Sequence, residues 1–387
     1  MEYKKLSDVC DVRDGTHDSP KYVAEGYPLV TSKSIVDGKL DLSVVCYISQ
    51  EDYDKINERS KVDAGDIIMP MIGTIGNPYI VENFTDFAIK NVALVKFPDD
   101  VISNRYVWYY LKSESFNRYI TEKNKGGTQK FLALGDIRNL IVPFVDRNIQ
   151  DEITEHLDKV FSIIELREEE LRKLDELIKS RFVEMFGDPD TNPKRWPEHS
   201  LSEMLDVLGG YAFKSDGFNE VDGVPVLRIG NINAGFFKPV NMVFWEEDEN
   251  LERYMMYPGD LVISLTGTVG KDDYGNVCIL GNAYSKYYLN QRNAKLELKE
   301  GLDKYYLSQL LRFEKIKKRL TGISRGVRQA NISNRDILGL KVPIPPINLQ
   351  EQFAAFIAHI DKSKVAIQKS LDKAQLLFDG LMQQYFG

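Results

Sequence analysis

Two stretches of the chain carry apolar residues at a period of three and a half, sustained over about five heptads, which is the pattern of a coiled coil. In the first, one heptad position holds Leu157, Ile164, Leu171, Ile178 and Met185, and the other Ile153, Val160, Arg167, Leu174 and Arg181. In the second, the matching positions hold Ile357, Lys364, Leu371, Phe378 and Tyr385, with Phe353, Ile360, Ile367, Ala374 and Leu381. This predicts two long amphipathic helices that pair with one another, each a rod of roughly 54 Å for about 36 residues at 1.5 Å per residue. The rest alternates on a shorter scale. Asp66-Ile67-Ile68-Met69 and Asp260-Leu261-Val262-Ile263 read as strands that follow Gly-Asp turns and lead into Gly-rich loops. Helices are predicted near Asn104 to Tyr119, through Trp108, Leu111 and Phe116, and near Asp303 to Leu320, through Leu307, Leu310 and Leu311.

These elements occur twice. Asn148-Ile149-Gln150 returns as Asn348-Leu349-Gln350, Asp136-Ile137 as Asp336-Ile337, Val142-Pro143 as Val342-Pro343 and Phe186-Gly187 as Phe386-Gly387, all at one offset. Upstream the offset shortens slightly, as small insertions would make it. Gly65-Asp66-Ile67-Ile68 pairs with Gly259-Asp260-Leu261-Val262, Gly73-Thr74-Ile75-Gly76 with Gly267-Thr268-Val269-Gly270, and Leu6-Ser7-Asp8 with Leu201-Ser202-Glu203. An ordered series over nearly the whole chain means duplication. Each copy is a globular α+β part followed by a long helix, which divides the chain into residues 1–147, helix 148–187, a Pro-rich linker 188–197 (Pro189, Pro193, Pro197), residues 198–347 and helix 348–387.

Composition narrows the setting. The 387 residues are 43% hydrophobic and 28% charged, enough apolar surface for folded domains. No apolar run approaches the 18 or so residues of a membrane span, and Met1-Glu2-Tyr3-Lys4-Lys5 opens no secretory signal. Cys10, Cys46 and Cys278 are too far apart for a disulfide framework or a zinc site, so a reducing, cytoplasmic setting is expected.

Catalytic patterns are broken wherever they are approached. His17, His156, His199 and His359 fall in no metal motif. Gly267-Thr268-Val269-Gly270-Lys271 is followed by Asp272 and lacks the upstream Gly of a phosphate loop. Asn77-Pro78-Tyr79 lacks one Pro of the adenine-methyltransferase tetrapeptide. Asp273 with Glu297-Leu298-Lys299 fits a nuclease triplet only loosely and has no counterpart in the first copy. The chain is expected to hold no active site and no metal.

Charge, by contrast, is unevenly placed. The net charge is -8. Yet Arg312 to Arg335 holds eight basic residues (Arg312, Lys315, Lys317, Lys318, Arg319, Arg325, Arg328, Arg335) against Glu314, and Arg118, Lys123, Lys125, Lys130 and Arg138 outnumber Glu122 and Asp136 in the equivalent stretch. Two recurrent basic stripes predict phosphate-backbone contact. Within them, Gly126-Gly127-Thr128-Gln129-Lys130 and Arg325-Gly326-Val327-Arg328-Gln329 combine a backbone that can approach closely with side chains whose forked geometry reads base edges.

With these motifs in order (G-D-[IL]-[IV], G-T-[IV]-G, G-x-x-[QR], D-I, V-P, then N-[IL]-Q and a long helix, twice over), the chain resembles the specificity subunit of type I restriction-modification systems. Val342-Pro343-Ile344-Pro345-Pro346-Ile347-Asn348-Leu349-Gln350-Glu351-Gln352 carries the resemblance most strongly; the first copy departs with Phe144-Val145-Asp146-Arg147 in place of Pro-Pro. The resemblance implies two α+β target recognition domains joined by two antiparallel coiled-coil helices about a pseudo-two-fold axis. Each domain would read one half of a bipartite double-stranded DNA target, with the helices setting the gap. It further implies no cofactor in this chain: two modification subunits would bind S-adenosylmethionine and methylate flipped adenines, and restriction subunits, if present, would use ATP and Mg. The candidate DNA contacts are Lys33, Thr74, Lys125, Thr128, Gln129 and Lys130 in the first copy, and Arg228, Asn231, Thr268, Lys271, Arg292, Arg325, Arg328 and Gln329 in the second. Because Lys33-Ser34-Ile35 faces Gly230-Asn231-Ile232 and Lys90-Asn91 lies near Gln291-Arg292 in the alignment of the copies, the two half-sites should differ. The rival readings are a coiled-coil scaffold that binds proteins without DNA specificity, and a self-sufficient methyltransferase.

Overall fold

The structure, a computed structural model, describes residues 2–36, 38–73, 75–82, 86–124, 131–232, 235–268, 271, 273–322 and 329–387, with Gln329 described by its backbone. The chain divides into two units, Met1–Glu168 with Gln368–Gly387, and Glu169–Ile367. Both long helices are therefore cut by the division.

In the first unit a four-stranded antiparallel sheet runs in the order Asp11–Asp14, Val92–Lys96, Ile67–Pro70, Tyr79–Ile80. A second sheet is built on Tyr27–Val30, which pairs in parallel with Ala88–Ile89 and antiparallel with Cys46–Ile48. The second unit repeats the plan: Leu205–Gly209, Asn293–Leu298, Leu261–Ser264 and Val277–Ile279 in one sheet, and Val224–Leu227 parallel to Tyr287–Leu289 in the other. The predicted strands begin one residue late, because the Asp of each Gly-Asp pair belongs to the turn. Gly65 and Gly259 both sit at φ 90°, a left-handed position that glycine adopts without a Cβ penalty. Asp66 and Asp260 then accept the amides of Asp63 and Tyr257 and pair with Lys96 and Lys295 on the neighbouring strand.

Each predicted mid-domain helix is two helices. Asn104–Tyr110 gives way to Glu114–Lys123, restarted by Ser113, whose hydroxyl accepts the Phe116 amide at 3.3 Å. Lys304–Arg312 likewise gives way to Glu314–Thr321. Helical spacing survives across the break, so the apolar pattern alone does not reveal it.

The long helices span Arg147–Phe186 and Ile347–Phe386, 40 residues each. Neither has an internal Pro, and Gly187 and Gly387 close them at φ 83° and 89°, donating to the carbonyls of Val183 and Gln383. The recurrent N-[IL]-Q is a joint at their start. Gln150 is fully buried; its Oε1 accepts the Ser103 amide at 2.8 Å and its Nε2 donates to the carbonyls of Val101 and Val145. Gln350 makes the same three bonds to Asp303, Gly301 and Pro345. One amide thus satisfies three backbone groups that would otherwise be buried unpaired.

Within each unit the two helices run antiparallel, with Phe161 against Phe378 and His156 against Tyr385 in the first unit, and Phe182 against Phe353 and Asp175 against Lys364 in the second. Of the expected pairing residues, Leu157, Ile164 and Phe378 are buried in the first core, where Leu371 packs at the edge; Ile178 and Ile360 are buried in the second. Leu171 and Ile367 are half-buried and belong to neither core.

The helices do more than pair. Phe182 and Phe186, from the first copy, pack on Tyr306 of the second copy's globular part at ring-centroid distances of 5.3 and 4.9 Å. Reciprocally, Phe386 packs on Tyr106 at 5.1 Å, and Ala374, Phe378 and Met382 join that core. Each globular part is completed by the end of the other copy's helix. The heptad pattern omits Phe182, Phe186, Met382 and Phe386: from Ile178 and from Phe378 the buried apolar residues follow a spacing of four, which holds one helix face against a domain rather than a coiled-coil seam. The linker is folded as well: Trp196 Nε1 donates to the Phe186 carbonyl at 2.9 Å, and Asp190 pairs with Lys315 and Arg319.

Candidate nucleic-acid interface

In the second unit, Thr266–Thr268, at the start of the G-T-[IV]-G motif, and Gln329–Asn331, from the end of G-x-x-Q, form a two-stranded antiparallel ribbon, with Thr266 opposite Asn331 and Thr268 opposite Gln329. Leu265, just before the ribbon, holds two partners: its carbonyl accepts the Ile332 amide at 2.8 Å, and its amide donates to the Arg292 carbonyl at 2.8 Å. The first unit repeats the join, with the Leu132 amide on the Met71 carbonyl at 2.9 Å and a bridge between Ile72 and Phe131. In both copies, residues that border two motifs about sixty residues apart are neighbours.

A second junction lies beside the ribbon, at the C-terminal ends of the parallel strands. Gly15 and Thr16 donate to the carbonyls of Val92 and Ile89, and Gly210 and Tyr211 to those of Asn293 and Leu289. These glycines are required, because a Cβ would stand 2.3 Å from the Ile89 oxygen at Gly15 and 2.2 Å from the Asn290 oxygen at Gly210. The offset that aligns Leu6-Ser7 with Leu201-Ser202 also aligns Gly15 with Gly210, so the repeat itself carries the signal for this junction.

Many residues of the basic stripes have partners within the fold. In the second unit, Arg312 donates to the carbonyls of Gly235 and Val277, Lys317 is buried on Asn276, Lys315 and Arg319 bind Asp190, and Lys318 pairs with Glu314. In the first, Arg118 donates to Ser115 and the Gly387 carbonyl, Lys123 pairs with Asp136 and Arg138 holds the Val12 carbonyl. The helical part of each stripe thus makes intramolecular pairs, with Lys317 buried and Arg118, Lys315 and Lys318 still exposed. Arg335 is exposed, while Lys125, Lys130, Arg325 and Arg328 lie outside the described residues, as do Thr74, Thr128 and Gln129.

The other sequence candidates separate into two groups. Asn231 is 3% exposed; it accepts the Arg228 amide and donates to the carbonyls of Lys238 and Val240, so its amide is spent inside the fold. Arg228 spends a guanidinium nitrogen on the Asn241 carbonyl. Thr268 is tied through its amide and hydroxyl to Asp273, at 2.7 and 2.9 Å, and these bonds, the backbone one first, hold the Asp273 carboxyl below its usual range. Lys33, Lys271 and Arg292 are exposed. Asp273 is thus committed to the ribbon and Lys299 to Asp206 at 3.1 Å, which leaves the nuclease triplet unassembled. The Pro78 carbonyl likewise receives Trp108 Nε1 as a structural bond.

One cluster in the first unit was not foreseen. Asp14, 4% exposed, binds Arg59 and, through Oδ2, His17 Nε2 at 2.8 Å, while His17 Nδ1 lies 2.8 Å from Asn91 Oδ1. The hydrogen bonds to Asn91 and then Asp14 raise the His17 pKa. Asn91 itself sits at φ 54°, a strained turn held by the imidazole beside Lys90. Among the described residues no group of three or more His, Cys, Asp or Glu is placed to hold a metal ion, and no helix is long and apolar enough to cross a membrane.

Comparison with known proteins agrees with this architecture. The chain is 26% identical over 304 residues to the MjaVIII type I restriction enzyme specificity subunit of Methanocaldococcus jannaschii, covering 70% of this chain and 68% of that one. It is 20% identical over 390 residues to the EcoKI specificity subunit of Escherichia coli K12, covering 94% and 81%. The type I restriction-modification S subunit of M. genitalium shares the fold, with a TM-score of 0.57 at 16% identity, over 100% of this chain and 96% of that one. The sequence model described as the type I restriction modification DNA specificity domain matches twice, over residues 1–176 and 193–376. With a match to each half and the same two junctions built in each, the chain belongs to the type I restriction-modification DNA specificity family.

Proposed function

We propose that this chain reads an asymmetric, bipartite double-stranded DNA target, one half-site per unit, and positions two adenine-methylating modification subunits on it, together with restriction subunits where the system has them. The chemistry then belongs to the partners: S-adenosylmethionine to the modification subunits, ATP and Mg to the restriction subunits. This chain supplies binding and orientation in the cytoplasm, where its DNA lies.

The observation that carries the reading is the recurrence of one constellation. In both units the strand that enters the Gly-rich motif is tied to the residues that follow the basic loop, beside a glycine junction at the ends of parallel strands. Exposed Lys271 and Arg292 lie on the segments that build it in the second unit, where they can meet DNA. Phosphate contacts there would fix register, and side chains of the ribbon and the strand-end turns would read base edges.

The test is an exchange of residues 1–147 for the same segment of a relative with a known target, followed by mapping of the methylated adenines. One half-site should change and the other persist. A change in both, or in neither, would overturn the reading. A protein-binding scaffold would show no affinity for duplex DNA that falls steeply with salt.

A further inference from the structure

The two strand-end junctions are alike except for one residue. In the first unit two residues, Lys90 and Asn91, lie between the carbonyls that receive Thr16 and Gly15; in the second, three residues, Asn290, Gln291 and Arg292, span the equivalent interval. The added residue makes a turn that is pinned on every side. The Asn293 amide donates to the Asn290 carbonyl at 2.9 Å, the Gln291 amide to the Tyr211 carbonyl at 2.9 Å, and the Arg292 amide to Asn290 Oδ1 at 3.2 Å. The Arg292 carbonyl accepts Leu265, the residue that also anchors the ribbon, and buried Asn293 fastens the base of the turn to the Leu227 carbonyl at 2.7 Å.

From this fixed backbone the Arg292 side chain projects into solvent and makes no hydrogen bond, ion pair or ring contact among the described residues. Arg228 and Asn231, beside it, are occupied, and Thr268 is held by Asp273. Its counterpart across the repeat is engaged instead: Asn91 binds His17, and Lys90 binds Ser19 at 2.8 Å. A guanidinium fork on a rigid turn next to a candidate reading ribbon is placed for bidentate recognition of an acceptor pair, with the backbone's share of the ordering cost already met.

We propose that Arg292 is a specificity-determining residue that reads one guanine, through N7 and O6, in the half-site recognised by the second unit. The first unit has no equivalent reader at this place. This rests on the DNA-reading function proposed above.

The experiment uses the full chain, with the subunits that co-purify, to select from randomised duplexes, comparing wild type with Arg292→Gln and Arg292→Lys. Wild type should require guanine at one position of the half-site that survives exchange of residues 1–147. Arg292→Gln should lose about 10- to 100-fold of that preference, leave the other positions unchanged and melt as wild type does. Replacing that guanine by 7-deazaguanine should weaken wild type by about tenfold and weaken Arg292→Gln no further. Equal weakening on all duplexes with a shallower salt dependence would mark a phosphate contact and overturn the proposal, as would an unchanged consensus. If wild type selects no consensus at all, the DNA-reading function falls with it; if it selects one that ignores residue 292, only this proposal falls.

Discussion

Replacing Phe182 by Ala removes a side chain that belongs to the first copy by sequence and to the second unit by packing. Phe182 is fully buried, 5.3 Å from Tyr306, 5.0 Å from Phe313 and 5.5 Å from Phe353 between ring centroids. A buried phenylalanine withdraws roughly 150–200 Å² from water, about 4–5 kcal/mol at about 25 cal/mol per Å², and Phe→Ala changes in cores cost about 3–5 kcal/mol. We expect about 4 kcal/mol, a large part of the ~5–15 kcal/mol that holds a typical protein folded. Hydrogen exchange monitored by mass spectrometry localises the loss. Amides of Leu261–Ser264, Asn293–Leu298 and Lys304–Arg312 should open about a thousandfold more often, while those of Ile67–Pro70 and Val92–Lys96 keep their protection. Loss confined to the first unit, or a penalty below about 1 kcal/mol, would refute the exchange of helix ends.

Gln350→Leu should cost about 2–4 kcal/mol by leaving the Asp303 amide and the Gly301 and Pro345 groups without a partner, read as a lower urea midpoint at unchanged m-value; an unchanged midpoint would deny the joint its role. Gly210→Ala forces a Cβ against the Asn290 oxygen, so half-site selectivity of the second unit should fall while that of the first is kept, as measured by methylation mapping. His17 gains its partners on folding, and its pKa is raised. The stabilisation it adds should therefore be fully present below its unfolded value of about 6.5 and disappear as pH rises through the folded value above it. His17→Ala should abolish that component of the pH dependence of stability, and an imidazole that titrates at the unfolded value by NMR would contradict it.

The duplication and both long helices were legible because each rests on a pattern that survives without coordinates, an ordered series of matches and a period of 3.5. The meaning of individual motifs was less so. Gln150 and Gln350 stand out in the repeat, yet only their three bonds show a structural joint rather than a surface recognition motif. The basic stripes are legible as an excess of charge, but a count of charges does not say that Asp190, far upstream of Lys315 and Arg319, comes to meet them. Asn231 stands where the two copies differ, but its burial and three internal hydrogen bonds come from tertiary contacts that the sequence does not display. Phe182 and Phe186 fell outside the helix-pairing set because the heptad template describes helix against helix and has no place for a helix end buried in a domain.

The exchange of helix ends also fixes an order of events during synthesis. The second unit is one continuous stretch, Glu169–Ile367, and its core can close once that stretch has left the ribosome. The first unit waits for Phe378, Met382 and Phe386, and its contact from Ser115 to the Phe386 carbonyl spans 271 residues. The recognition unit whose residues emerge first is the last to be finished, and until then its exposed core is what a chaperone would have to guard.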